Sequence, residues 1–371
     1  MSKLEQSARS IDVPILSGNH EPWFIKERNF LAGLVFAAAA AVIGVGRPEL
    51  AMWIGFLFAA YAAIANDSIQ TIGTFIASNR HRPWWHQWLF IGGIFLATVT
   101  YSWMNYNGDV SFQRLAAKGF ETAPSSFHYL QIIAPLFLIL LTRLKMPVST
   151  TFLLLSSFAA SSTSIMKVMG KSFMGYGLAF GIAIAVWLSL SHAFERWFTG
   201  KAAPQWRIFQ WITTGVLWSV WIMQDAANIA VYLPRQLSVV EFLAFAGTIF
   251  VALGFLFRMG GERVQEIVDE KSHVVDVRAA TIIDLIYALI LFYFKMYSKL
   301  PMSTTWVFLG LLGGRELAMA LKGTSKYGIW PAVKIMCRDT GAALIGLVLS
   351  LLIAMVVNDT IRDGILSTFG L

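Results

Sequence analysis

Charge is scarce in this chain. Asp, Glu, Lys and Arg make up 13% of its 371 residues, about half the roughly 25% usual in a soluble domain. Cysteine is nearly absent. The single Cys337 excludes an intrachain disulfide and a thiolate metal cluster. The six histidines show no metal-ligand spacing. No Walker loop, G-x-G-x-x-G or Ser/His/Asp set is evident, which argues against an ATP-driven pump and against an enzyme. Residues Met1–Arg28 are polar and carry both signs of charge. They lack the compact apolar core and cleavage site of a signal peptide. They read as a cytoplasmic tail with a short interfacial helix near Trp23 and Phe24. The longest links, around Tyr106–Phe127 and Met259–Arg278, are too short to hold a water-soluble domain.

Apolar sequence is plentiful, at 57% of the chain. Eleven hydrophobic segments follow one another: Phe30–Val45, Leu50–Ser78, Trp84–Met104, His128–Leu144, Pro147–Met166, Phe173–Phe194, Ile208–Leu233, Val239–Phe257, Thr281–Tyr297, Met302–Leu321 and Trp330–Val357. Their lengths suit membrane spans, so the expected fold is an all-α polytopic membrane protein. The net charge of +8 fits link Lys and Arg that set topology and touch anionic lipid, rather than nucleic acid. If every segment changes side, Lys and Arg are about twice as frequent on the side of the N-terminus, which predicts a cytoplasmic N-terminus and an opposite C-terminus. Arg114, Lys118, Lys167, Lys171 and Lys299 then belong to the less basic side.

One motif organises the chain. Lys145–Thr151 reads K-M-P-V-S-T-T and returns at Lys299–Thr305 as K-L-P-M-S-T-T. Each copy precedes an apolar run. Proline suits a first helical turn, and Ser and Thr set hydroxyls beside backbone N–H groups that lack helical partners. With the positive end of the helix dipole, this makes an oxyanion site. A single copy would mean only a capped helix. Two copies in a membrane protein point to a transport site framed by repeats. Ser149, Thr150, Thr151, Ser303, Thr304 and Thr305 are therefore expected to bind substrate.

A second pair accompanies the first. I-A-N-D-S-I-Q lies at Ile64–Gln70 and M-Q-D-A-A-N at Met223–Asn228. Aligning Asp67 with Asp225 sets Asn66 opposite Gln224 and Gln70 opposite Asn228. Each acid and its second amide are three residues apart, on one helical face. An acid at membrane depth is expensive and marks function by default. Packing glue is the alternative. Amide and carboxylate oxygens suit hard cations, so Asp67, Gln70, Asp225 and Asn228 are expected Na⁺ ligands, and Asn66, Asp67, Asp225 and Asn228 are expected near the substrate. The long segment Leu50–Ser78 is expected to break near Asn66–Asp67. Because the acid segments and the S-T-T copies enter from opposite sides, the repeat is expected to be inverted. Its parts are a tail 1–29, a first repeat 30–195 with an extra first helix, a second repeat 207–357 and a C-terminal tail 358–371.

These residues resemble a known family. A-N-D-x-x-Q-x-x-G-T-x-x-x-S at Ala65–Ser78 is similar to the first signature of the inorganic phosphate transporter (PiT) family, usually G-A-N-D-V-A-N-x-x-G-T. Gln224–Asn228 resembles its second copy, and P-V-S-T-T and P-M-S-T-T resemble the P-[IV]-S-T-T after each. The resemblance covers about Ala65–Leu321. It implies an inverted-repeat secondary carrier of inorganic phosphate coupled to Na⁺ or H⁺, with phosphate held by the N-D and S-T-T motifs and Na⁺ close by. Departures are Ile64 for the first Gly, Gln70 and Gln224 for Asn, Phe152 and Trp306 for a usual His, and Leu89 where an acid is common.

The expectation is thus a multi-pass cell-membrane carrier of inorganic phosphate, Na⁺-coupled, with H⁺ as the alternative ion and no other cofactor. Its partners are the oxyanion and membrane lipid, with homo-oligomerisation left open. A sulfate carrier, a divalent-cation carrier and a non-transporting sensor are the competing readings. Lys145 and Lys299 either anchor at an interface or add to the anion field. Asp284 has no counterpart at Leu130; pairing with a basic residue is one option, and no role is assigned to it. Asp339 is expected to pair with Arg338, Glu241 to be interfacial, and the serines of Ser156–Ser164 to serve close packing.

Overall fold

The computed structural model describes residues 23–79, 81–117, 119–197, 200, 202–260, 277–323, 328–368 and 370. Residues 1–22 of the expected tail and 261–276 of the link before Arg278 lie outside these. Among the described residues all regular structure is helical. The helices are α1 (Trp23–Lys26), α2 (Arg28–Ala41), α3 (Pro48–Thr71), α4 (Gly73–Ser78), α5 (Trp84–Asn105), α6 (Tyr129–Arg143), α7 (Thr150–Leu153), α8 (Ser162–Trp197), α9 (Gln205–Ala230), α10 (Val239–Phe255), α11 (Val277–Tyr297), α12 (Thr304–Leu321), α13 (Ile329–Val357) and α14 (Asp359–Thr368).

Among the described residues, five helices are long and apolar enough to cross a membrane: α3, α8, α10, α11 and α13. Large apolar side chains such as Phe36, Val240, Leu289 and Val356 stand exposed. In water such a surface would be a liability, whereas lipid covers it. The chain is a multi-pass helical membrane protein. Helix starts are written locally. His128 and Gln131 form a capping box ahead of α6, and Ser238 and Glu241 form one ahead of α10. Glu241 therefore serves the helix start, with Ser238 N and Oγ each donating to it at 2.7 Å.

Hydrogen bonds fix the two ends of the bundle. At one end the segment 106–127 meets the starts of α8 and α10 through Ala160 N→Gly119 O and Leu237 N→Gly108 O, both 2.9 Å. The α13–α14 corner joins this end through Asn358 Nδ2→Ala159 O at 3.3 Å. At the other end Arg143 pairs with Glu27, and Asn79 donates to Gln210 at 3.0 Å.

Two expected elements differ. Pro147–Met166 is not one helix. It forms the single turn α7, a 3₁₀ turn over Leu155–Phe158, a bend, and the start of α8. Its serines close these turns, Ser157 Oγ on Leu154 O at 2.7 Å and Ser161 Oγ against Ser164 Oγ at 3.0 Å. Serine hydroxyls compete for backbone groups and interrupt regular helix. The second copy has no such run, and α12 continues to Leu321. The break in Leu50–Ser78 is also misplaced by the sequence. Helix α3 runs through Asn66 and Asp67 and breaks at Ile72. Thr71 Oγ1 donates back to Asp67 O at 2.7 Å, one turn before the break.

Helix α12 lies tightly on α8. A Cβ on Gly310 would stand 2.3 Å from Tyr176 O, and one on Gly314 2.4 Å from Phe180 O. Only glycine allows this approach, which sets the second S-T-T turn deep in the protein.

Candidate functional site

The two S-T-T turns are approached from opposite ends. Residues 144–149 lead inward from the end that holds Arg143. Residues 298–303 lead inward from the end that holds 106–127, where Arg114 reaches Ser298 O. The turns then cross-link. Thr151 Oγ1 donates to Met302 O at 3.2 Å, and Thr305 Oγ1 donates to Val148 O at 3.3 Å. Met302 and Val148 hold the same position in the two copies, as do Thr151 and Thr305. The hydrogen bonds are therefore reciprocal.

The acid motifs pack around these turns. Asn66 Nδ2 donates to Val148 O at 2.9 Å and to Asp67 Oδ1 at 2.8 Å, while Thr142 Oγ1 donates to Asn66 Oδ1 at 3.0 Å. In the second copy Asn228 Nδ2 donates to Asp225 Oδ1 at 2.6 Å and to Thr151 Oγ1 and Thr150 Oγ1 at 3.2 and 3.3 Å. Thr151 Oγ1 lies 3.3 Å from Asp225 Oδ1. The side chains of Thr150 and Thr304 lie near Asp67 and Asp225 respectively, and the two acids lie near each other. Asn66, Asp67, Gln70, Ser149, Thr150, Thr151, Asp225, Asn228, Ser303, Thr304 and Thr305 are all buried. The structure thus gathers the predicted residues of both copies into one buried cluster.

Within it, four carboxylate and amide oxygens have no hydrogen-bond partner among the described residues: Asp67 Oδ2, Gln70 Oε1, Asp225 Oδ2 and Asn228 Oδ1. A buried polar oxygen left unpaired costs roughly 1–3 kcal/mol, more when charged. Gln224 departs from the aligned pattern, because its Nε2 turns to Leu291 O at 2.8 Å.

The two turns are unequal. Ser149 Oγ accepts from Phe152 N at 3.1 Å and closes the four-residue α7 on itself. Ser303 makes no cap bond, and its buried Oγ has no partner. The longer α12 keeps first-turn N–H groups for another acceptor. Trp306, next after the second S-T-T, packs edge-on against Phe173 at 5.0 Å.

Several charged residues need reassignment. Lys299 is exposed and donates to Gln113, so it stands outside the cluster. Lys145 lines a small cavity with Asn66, Gln70, Thr142, Leu312 and Asp339, which links one end of the bundle to the first acid motif. Asp339 does pair with Arg338, at 3.3 Å. Asp284 has no basic partner among the described residues. It accepts from Thr74 Oγ1 at 2.9 Å and Thr214 Oγ1 at 2.5 Å. The buried cations that approach the cluster are Arg114 and Lys171, which the sequence placed among ordinary link charges. Arg114 Nε donates to Met223 O at 3.3 Å, two residues before Asp225.

Fold and cluster together define a polytopic all-helical membrane protein with two buried acid–amide and hydroxyl motifs. Its backbone has a counterpart among solved structures, one described as the sodium-dependent phosphate transporter. The TM-score is 0.52 at 16% identity, over 84% of this chain and 96% of that one. The likeness is one of fold. No family model matches the sequence, and no curated protein matches it.

Proposed function

We propose that this chain is a secondary carrier of inorganic phosphate that couples phosphate to Na⁺. The observation that carries the reading is the set of four unpartnered buried oxygens on Asp67, Gln70, Asp225 and Asn228. Carboxylate and amide oxygens are hard donors that suit Na⁺. The anion sits at the S-T-T turns, where Ser303 is uncapped and the hydroxyls of Thr150, Thr151, Thr304 and Thr305 converge. Support comes also from the shared fold with a transporter described as sodium-dependent and phosphate-carrying.

Coupling follows from charge. Phosphate carries one to two negative charges near neutral pH. Two unit charges 4 Å apart repel by about 4 kcal/mol even at an effective dielectric of 20. Asp67 and Asp225 therefore cannot stand bare beside it. Na⁺ at the orphan oxygens screens the acids and admits the anion, so cation and anion move together. Protonation of the same oxygens is the alternative. The two S-T-T turns, approached from opposite ends, are consistent with an inverted repeat and alternating access. The excess of Lys and Arg on the side of the N-terminus supports a cytoplasmic N-terminus.

The test is phosphate uptake into proteoliposomes, with sulfate and arsenate as competitors. Competition by arsenate and not by sulfate is expected. Uptake of sulfate in place of phosphate would refute the assignment of substrate.

A further inference from the structure

Arg114 and Lys171 are both buried, at 1% and 7% exposure, and they converge on one short stretch of backbone. Arg114 Nη1 donates to Ser298 O and, at 3.4 Å, to Leu300 O. Lys171 Nζ donates to Ser298 O at 3.2 Å and to Leu300 O at 2.5 Å. Both cations reach the same two carbonyls, so they stand side by side. Like charges at that spacing repel, and burial strengthens the repulsion. Neither has a carboxylate within ion-pair distance among the described residues. Arg114 Nη2 is buried with no hydrogen-bond partner among the described residues. Buried charges are normally paired, so this arrangement has positive charge in excess and one guanidinium edge to spare.

Its position gives the excess a use. Ser298 and Leu300 form the elbow between α11 and the second S-T-T turn. Ser172, next to Lys171, accepts from Ser303 N at 2.8 Å. Arg114 also holds Met223 O and feels the charge of Asp225. The pair therefore lies between the end that carries 106–127 and the hydroxyl cluster.

We propose that Arg114 and Lys171 form a separate anion station that takes a tetrahedral oxyanion, here inorganic phosphate, on its way to Ser303, Thr304 and Thr305. Arginine offers a planar fork of donors that matches phosphate oxygens, and lysine adds a point charge. The station rests on the phosphate-carrier reading. It also answers a difficulty in that reading, because it supplies fixed positive charge where Asp67 and Asp225 would otherwise repel the anion.

Two measurements test it. The first is equilibrium binding of inorganic phosphate to the purified full-length protein in Na⁺. Arg114→Gln and Lys171→Met should each raise the Kd at least tenfold, while Lys171→Arg, which keeps the point charge, should stay within threefold. Wild-type binding with either folded neutral variant unaffected would overturn the station and leave the carrier reading intact. Absence of phosphate binding by the wild type would sink both. The second measurement needs no variant and holds if the neutral ones do not fold. Wild-type protein soaked with tungstate, an anomalous-scattering tetrahedral oxyanion, should show signal beside Arg114 Nη2 and Lys171 Nζ. Signal at the S-T-T turns alone would overturn the station.

Discussion

Replacing Asp225 by Asn should separate the fold from the coupling. The carboxylate Oδ1 accepts from Asn228 at 2.6 Å and lies 3.3 Å from Thr151 Oγ1. An amide oxygen in the same place keeps both contacts. What changes is the other oxygen, which has no partner and becomes an NH₂ that cannot bind a cation. One of two buried carboxyl groups also disappears. The variant should therefore fold, and without Na⁺ it should be at least as stable as the wild type. Ligand linkage sets the size of the difference. A cation at 100 times its Kd stabilises the wild type by about 2.7 kcal/mol, and the variant should lose its share of that gain. The assay is thermal unfolding in detergent, in NaCl against choline chloride at equal ionic strength. A variant that keeps the full Na⁺-dependent rise in Tm would refute Asp225 as a ligand.

Three further outcomes follow from the same geometry. The double change Thr150→Ala with Thr304→Ala removes two hydroxyls from the turns, at roughly 1.5–3 kcal/mol for each hydrogen bond lost to a charged group. Phosphate KM should rise by about two to four orders of magnitude, and an unchanged KM would remove these residues from the site. Gly310→Ala sets a methyl against Tyr176 O and should cost about 1–3 kcal/mol by overpacking, read as a lower Tm; a neutral change would mean that α12 and α8 separate freely. Asp284→Ala leaves the Thr74 and Thr214 hydroxyls without their acceptor and should cost about 1–3 kcal/mol for each, with Asp284→Asn milder; equal stability of all three forms would show that this contact holds nothing.

The buried cluster was legible because its residues are rare in their surroundings. Asp67 and Asp225 interrupt apolar runs, and the S-T-T turns repeat position for position, so sequence spacing alone brought both pairs into view. The cross-links Thr151–Met302 and Thr305–Val148 follow that spacing but depend on a packing the linear pattern does not contain. Arg114 and Lys171 stayed hidden for a related reason. Their partners at Ser298 and Leu300 lie 127 to 186 residues away, and a basic residue near a segment end ordinarily means topology. The break expected near Asn66–Asp67 falls instead at Ile72, beside Thr71, whose hydroxyl returns to Asp67 O. The interruption of Pro147–Met166 had a visible cause in its serines, which were read as packing residues instead.

On the proposed mechanism, the orphan oxygens of the acid motifs tie phosphate movement to Na⁺. The decisive experiment is phosphate accumulation by wild-type protein in proteoliposomes, under a Na⁺ gradient and separately under a pH gradient. Accumulation above the external concentration is expected with inward Na⁺, none with inward H⁺ alone, and none for Asp67→Asn or Asp225→Asn. Accumulation that ignores the Na⁺ gradient, or Asn variants that still concentrate phosphate, would contradict it.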